Sequence, residues 1–186
     1  MQATPGRPDG VKLVRRTDRA MTDDGSAHGV VAGLFRKAET GAERGLPKRG
    51  VEDIQVVSEG VVGDFNRYRH EELHDDPDSA LLIFPEETLA QLAREGWPVT
   101  AGDLGENVSS RGIPYPRFRS GAPLSLGSVR AEITRPCDPC TNLYLLPYVG
   151  EDRGPAFLKT MKNRRGWYAR VVVAGRIRRG DPIQFG

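Results

Sequence analysis

The chain has 186 residues, enough for one domain with a full core and short for two. Its net charge of +2 is small and dispersed, with no interleaving of aromatic and basic residues, which excludes nucleic-acid binding as its main activity. No apolar run reaches the length of a membrane span and the N-terminus lacks the apolar core of a secretory signal, so a cytoplasmic protein without a membrane partner is expected, its two cysteines reduced.

The 22 glycines and 14 prolines point to a turn-rich, mainly β chain. Residues 1–27, rich in Gly, Pro, Asp and Arg, read as a flexible N-terminal arm, leaving 28–186 as the folded domain. His28 to Phe35 is a first strand, whose glycines suit a bulge or a close neighbour. A polar loop from Arg36 to Arg49 ends in Leu46-Pro47-Lys48-Arg49-Gly50, a turn that either holds an anion between its two cations or is simply solvated. Glu52 to Ser58 is a second strand and Glu59 to Asp64 a glycine-marked turn.

The polar stretch from Phe65 to Ser79 contains His70-Glu71-Glu72-Leu73-His74, the spacing of a zinc-protease motif. That motif needs a long amphipathic helix and a third ligand downstream, whereas Asp75-Asp76-Pro77 stops a helix at once, so a mobile surface loop near the site is expected. Ala80 to Phe84 is a buried strand. Pro85 then opens a helix with Glu86 and Glu87 in its first turn and Leu89, Leu92 and Ala93 on its core face, ended by Gly96. The segment Ala101-Gly102-Asp103-Leu104-Gly105-Glu106-Asn107-Val108 reads either as a binding loop, glycine amides facing a ligand with Glu106 and Asn107 orienting it, or as an ordinary turn before a strand at Asn107 to Ser109.

Gly121 to Thr134 is a hairpin around Gly127-Ser128 that delivers the chain to Pro136-Cys137-Asp138-Pro139-Cys140. The two prolines make this a stiff loop and argue against a redox Cys-x-x-Cys that opens a helix; Thr141 and Asn142 cap a short helix only after the second cysteine. One such pair also supplies two ligands where a structural zinc site needs four. Gly154 to Arg165 reads as an amphipathic helix with Lys159, Lys162, Arg164 and Arg165 on a basic face, broken by Gly166; Trp167 to Val173 is a strand, and Gly175 to Phe185 a turn and closing strand. Many short strands with glycine corners describe a β-barrel or sandwich.

Four segments in this order, Gly60-Val61-Val62-Gly63-Asp64, Gly102-Asp103-Leu104-Gly105-Glu106-Asn107, Arg135-Pro136-Cys137-Asp138-Pro139-Cys140 and Gly166-Trp167-Tyr168-Ala169-Arg170-Val171 with Gly180-Asp181, resemble MOSC domains, named after the C-terminal domain of molybdenum cofactor sulfurase. The resemblance runs from about His28 to Phe185 and implies a MOSC-type β-barrel with a few short helices, with a reactive cysteine beside a pocket for a pterin-type molybdenum cofactor. Cys140 matches that cysteine, as metal ligand or as carrier of a persulfide, with Cys137 as a second catalytic thiol. Lys48 matches a family lysine that would bind the cofactor's phosphate; Arg67 and Arg170 are further anion contacts, and Glu106 and Asn107 line the site.

Where many relatives have Gly-Asp-Arg-His this chain has Gly63-Asp64-Phe65-Asn66, so a basic and a titratable group are missing. The functions implied are reduction of an N-hydroxylated or related N-oxygenated small molecule with a separate electron-transfer protein, sulfur transfer from a cysteine desulfurase, or non-catalytic cofactor binding.

Overall fold

The computed structural model describes residues 27–37 and 46–186. The arm expected over 1–27 lies, apart from Ala27, outside the described residues, as does the middle of the loop before Lys48. In chain order the strands are β1 (Ala27–Arg36), β2 (Arg49–Val51), β3 (Asp53–Val57), β4 (Gly60–Val61), β5 (Leu81–Pro85), β6 (Val108–Arg111), β7 (Pro123–Leu126), β8 (Val129–Pro136), β9 (Trp167–Val173), β10 (Gly175–Arg178) and β11 (Pro182–Phe185). The helices are α1 (Arg67–Glu71), α2 (Glu87–Arg94) and α3 (Gly150–Met161).

Seven strands close into a barrel in the order β1-β6-β5-β9-β8-β7-β11, with β11 returning to β1 and every pairing antiparallel except β5–β6. The expected β-barrel is therefore the observed fold. β2 extends one edge of β1, and β10, β3 and β4 form a small separate sheet. β1 is bulged between Val31 and Gly33, where its glycine content allows the register to shift.

Alternation along the strands fills the barrel with apolar side chains, among them Leu34, Ile83, Val108, Leu126 and Ile133. A second core lies under the helices, where Leu92 of α2 meets Phe157 and Met161 of α3 and Leu143 of a short 3-10 turn at Thr141–Leu145. Among the described residues no helix is long and apolar enough to cross a membrane.

Two local expectations need correction. Pro85 is the last residue of β5, and α2 starts later, at Glu87, with Glu86 as its cap. α3 begins at Gly150 and ends at Met161, so Arg164 and Arg165 lie beyond it. The glycine and proline at 154 and 155 read as a boundary but sit inside the helix: a side chain at Gly154 would collide with the Tyr144 ring, so close packing requires glycine there. α1 is a single short turn that ends before His74, whose φ is +49°, so His70 and His74 do not share a helix face. His70 pairs with Asp75 at 2.8 Å, and among the described residues no group of three or more His, Cys, Asp or Glu side chains is placed to hold a metal.

Candidate functional site

A cleft opens where four segments meet: the turn at Leu46–Lys48, the start of α1, the loop at Gly102–Glu106, and the crossing from β8 to β9. Lys48, Asn66, Tyr68, Asn142, Arg165 and Tyr168 line it, with the Gly105 backbone in its wall. The crossing is built by backbone pairing. Pro136 is opposite Trp167, and the Cys137 amide donates to the Gly166 carbonyl at 2.9 Å, so the cysteine loop is tied to the entry of β9. Gly166 has φ +96° and lies against the Ile83 carbonyl, a position that a Cβ would occupy at close range.

The two cysteines have different surroundings. Both are free thiols; Cys137 is buried and Cys140 half-buried. Burial pushes the Cys137 thiol above its ordinary pKa, against the opposing pull of Arg165, and the thiol donates to the Asp138 carbonyl at 3.7 Å. Cys140 is the residue before the 3-10 turn.

Arg165 is 8% exposed and reaches both loops. One guanidinium nitrogen donates to the Cys140 sulfur at 3.2 Å and to the Asp138 carbonyl at 2.9 Å, and the other lies 3.4 Å from the Leu104 carbonyl. Burial acts against its charge, but the two sulfurs and Tyr168 outweigh that and raise its pKa. Its Nε is buried without a partner among the described residues. Sequence reading placed Arg165 on a helix surface. Nothing in the periodicity separates it from its neighbour Arg164, which pairs with Glu95 at 2.8 Å on the outside.

Lys48 lines the cleft, but its ammonium is 2.6 Å from Asp64 and its side chain is 2% exposed. Burial lowers its pKa, with Asp64 the main opposing influence. Asp64 also accepts from the Lys37 amide at 2.7 Å and from the Asn107 side chain at 2.8 Å. Asn107 completes its own bonding by accepting from the Leu82 amide, so it acts as a brace between β5, β6 and Asp64. Glu106 is fully buried; one oxygen accepts from the Gly102 amide at 2.6 Å and the other has no partner, and burial raises its pKa. The glycine loop thus turns the Gly102 amide inward to its own carboxylate. Neither Glu106 nor Asn107 lines the cleft.

The remaining sequence candidates are dispersed. Arg170 is exposed on β9, paired with Asp78 at 3.3 Å and Glu132 at 2.6 Å, away from the cleft lining. Arg67 opens α1, and its side chain lies outside the described part of the structure. At the departure Phe65-Asn66, Asn66 lines the cleft and caps α1 by accepting from the Arg69 amide at 3.1 Å, while Phe65 packs toward the His70 ring.

A thiol beside one buried guanidinium, with amides and phenols around it, has the donor chemistry for a soft metal that carries negatively charged groups of its own. Among the described residues no group of three or more His, Cys, Asp or Glu side chains is placed to hold a metal, so the donor set suits a metal that brings ligands of its own. By that test the residues fit a pterin-type molybdenum cofactor.

Comparison with known proteins agrees with the fold. Protein YiiM of Escherichia coli strain K12 is 26% identical over 162 residues, covering 84% of this chain and 70% of that protein. Among solved structures, the YuaD protein of Bacillus subtilis superposes with a TM-score of 0.71 at 18% identity, over 86% of this chain and 96% of that one. YiiM of Geobacillus stearothermophilus gives 0.63 at 23% identity, over 86% and 75%. The sequence profile of the MOSC domain matches residues 70–184, more than half of the chain, and the protein belongs to the MOSC domain family.

Proposed function

We propose that the cleft receives a pterin-type molybdenum cofactor with Cys140 as the protein's ligand, and that the protein reduces N-hydroxylated or related N-oxygenated small molecules with electrons from a separate electron-transfer protein. The observation that carries this reading is the half-buried Cys140 thiol held at 3.2 Å by Arg165, a buried arginine that lines the cleft. When bound, the cofactor supplies the two-electron oxygen-transfer chemistry.

The chain's own residues bind and orient. Cys140 offers a soft sulfur, Arg165 supplies positive charge beside it, and Asn66, Asn142 and Tyr68 offer hydrogen bonds along the wall. Lys48 reaches an anionic group only by sharing its ammonium with Asp64.

Sulfur transfer from a cysteine desulfurase is the competing reading, favoured by a second thiol only two residues before Cys140. It requires Cys137 to attack, and a buried thiol whose pKa is raised by burial is a poor nucleophile at neutral pH. That burial favours the first reading.

The test is elemental analysis of the wild type and Cys140→Ser, purified anaerobically from a host that makes the cofactor. Near-stoichiometric molybdenum in the wild type, absent from the variant, is expected. No molybdenum under conditions that load a known relative refutes the reading and moves the assignment to sulfur transfer or to a non-catalytic binding module.

A further inference from the structure

Buried charges in proteins are paired, because an isolated ion loses its hydration without return. Around this cleft the other titrating groups account for one another. Lys48 is matched by Asp64 at 2.6 Å, and Glu106 sits fully buried with one oxygen unpartnered, an arrangement that suits the neutral acid. Arg165 is the exception. It is 8% exposed, and among the described residues its hydrogen-bond partners are two backbone carbonyls and the Cys140 sulfur, with no carboxylate. A guanidinium stays charged at any pH the fold tolerates.

We propose that Arg165 is a positioning residue whose unmatched positive charge makes the part of the cleft beside Cys140 an anion site, filled by the anionic groups of an incoming ligand. Three geometric facts support this. The planar fork spans two loops at once, joining Asp138 in the cysteine loop to Leu104 in the glycine loop, so the charge is held in a fixed place. One guanidinium nitrogen lies 3.2 Å from the sulfur itself. Among the described residues the buried Nε has no partner, whereas the neighbouring Arg164 pairs with Glu95 at 2.8 Å.

The inference builds on the reading of Cys140 as the functional thiol, but its test needs no cofactor. The cofactor-free full chain is alkylated at neutral pH with anionic iodoacetate and, separately, with neutral iodoacetamide, and modification of Cys140 is followed by peptide mass spectrometry. Both reagents attack the same sulfur, so the ratio of their rates reports the local field and not the reactivity of the thiol. The uncharged thiol N-acetylcysteine amide is the reference.

The wild-type ratio is expected to exceed the reference by about threefold or more, since a local cation concentrates anions. It is expected to fall to the reference in Arg165→Met and to be kept in Arg165→Lys, which retains the charge. A wild-type ratio at or below the reference overturns the proposal, as does an unchanged ratio in a folded Arg165→Met or a lost one in a folded Arg165→Lys. The wild-type measurement decides even if no variant folds. A raised ratio in protein that never loads molybdenum leaves this inference standing and sinks the cofactor reading. A normal ratio in protein that does load it has the opposite consequence.

Discussion

Replacing Asp64 by asparagine strands Lys48. The lysine side chain is 2% exposed, and Asp64 at 2.6 Å is its counter-ion at hydrogen-bonding distance among the described residues. The folded variant then has two choices, to keep an unpaired buried ammonium or to release its proton. Releasing it at pH 7 means going three and a half units below the ordinary lysine value of 10.5, at about 1.4 kcal/mol per unit, which caps the charge penalty at about 5 kcal/mol.

Breaking a buried pair typically costs about 3–5 kcal/mol, so Asp64→Asn is expected to lie in that range at pH 7. Because the folded variant holds the lysine neutral while the unfolded chain keeps it protonated, its stability rises with pH up to 10.5. At pH 9 the cap has dropped to about 2 kcal/mol. Urea unfolding followed by the fluorescence of Trp97 and Trp167, at pH 7 and pH 9, measures the deficit against wild type. The double variant Lys48→Met with Asp64→Asn removes the titrating group and is expected to show a pH-independent deficit. A single-variant deficit that is the same at both pH values, or below about 1 kcal/mol, refutes the argument.

Other perturbations test neighbouring parts of the same frame. Burial holds the Glu106 carboxyl above its ordinary value of 4.5, so the stability it confers is whole below that pH and is lost as pH rises through the folded value, by up to about 1.4 kcal/mol per unit. Glu106→Gln should lack that decline in urea melts from pH 5 to pH 9. Gly166→Ala forces a side chain onto the Ile83 carbonyl at a positive φ, and should cost about 2 kcal/mol or more by thermal unfolding. Cys137→Ser should lose about 1 kcal/mol of stability yet keep the molybdenum content of the wild type, because the residue is buried against Leu82 and Tyr168 and is not the proposed ligand.

How far the sequence discloses this molecule depends on the range of the interaction. The hairpin at Gly127-Ser128 was legible because its information is local: alternating residues on both sides and a glycine that takes φ +56°, with Leu126 opposite Val129 as the turn requires. β9 was legible for the same reason, as an apolar run with a glycine before it, and its observed limits are those expected. α3 was misplaced because Gly154 and Pro155 look like a boundary, and only the Tyr144 ring, brought in by the neighbouring 3-10 turn, shows why a glycine is wanted inside the helix.

The site divides in the same way. Cys140 and Lys48 stood out by residue type and motif; Lys48 lines the cleft, and Cys140 lies against Arg165 in its wall. Arg165 carried no such mark. Its contacts reach Leu104 and Asp138, residues far apart in the chain, and those contacts exist only after the barrel has closed. Glu106 and Asn107 were legible as polar residues of the glycine loop but not as buried ones. Their hydrogen bonds to Gly102, Leu82 and Asp64 direct them inward, a preference that a Gly-Glu-Asn motif does not display.

The contrast between the two buried cations separates a charge kept for the fold from one kept for the site. Lys48 has Asp64, and removing that partner leaves a bare ion, so the pair behaves as structure. Arg165 has no such partner, so the fold already bears the desolvation cost of its charge, and an apolar side chain of similar length removes that cost. Against this gain, Arg165→Met gives up a good bond to the Asp138 carbonyl at 2.9 Å and a long one to Leu104 at 3.4 Å, and the residue Asp138 is exposed, so water can replace the first. The two effects oppose each other, and the net change in urea stability is expected to stay within about 1 kcal/mol of wild type, while the preference of Cys140 for an anionic reagent disappears. A loss as large as that of Asp64→Asn would mark Arg165 as a structural cation whose place beside the sulfur is incidental.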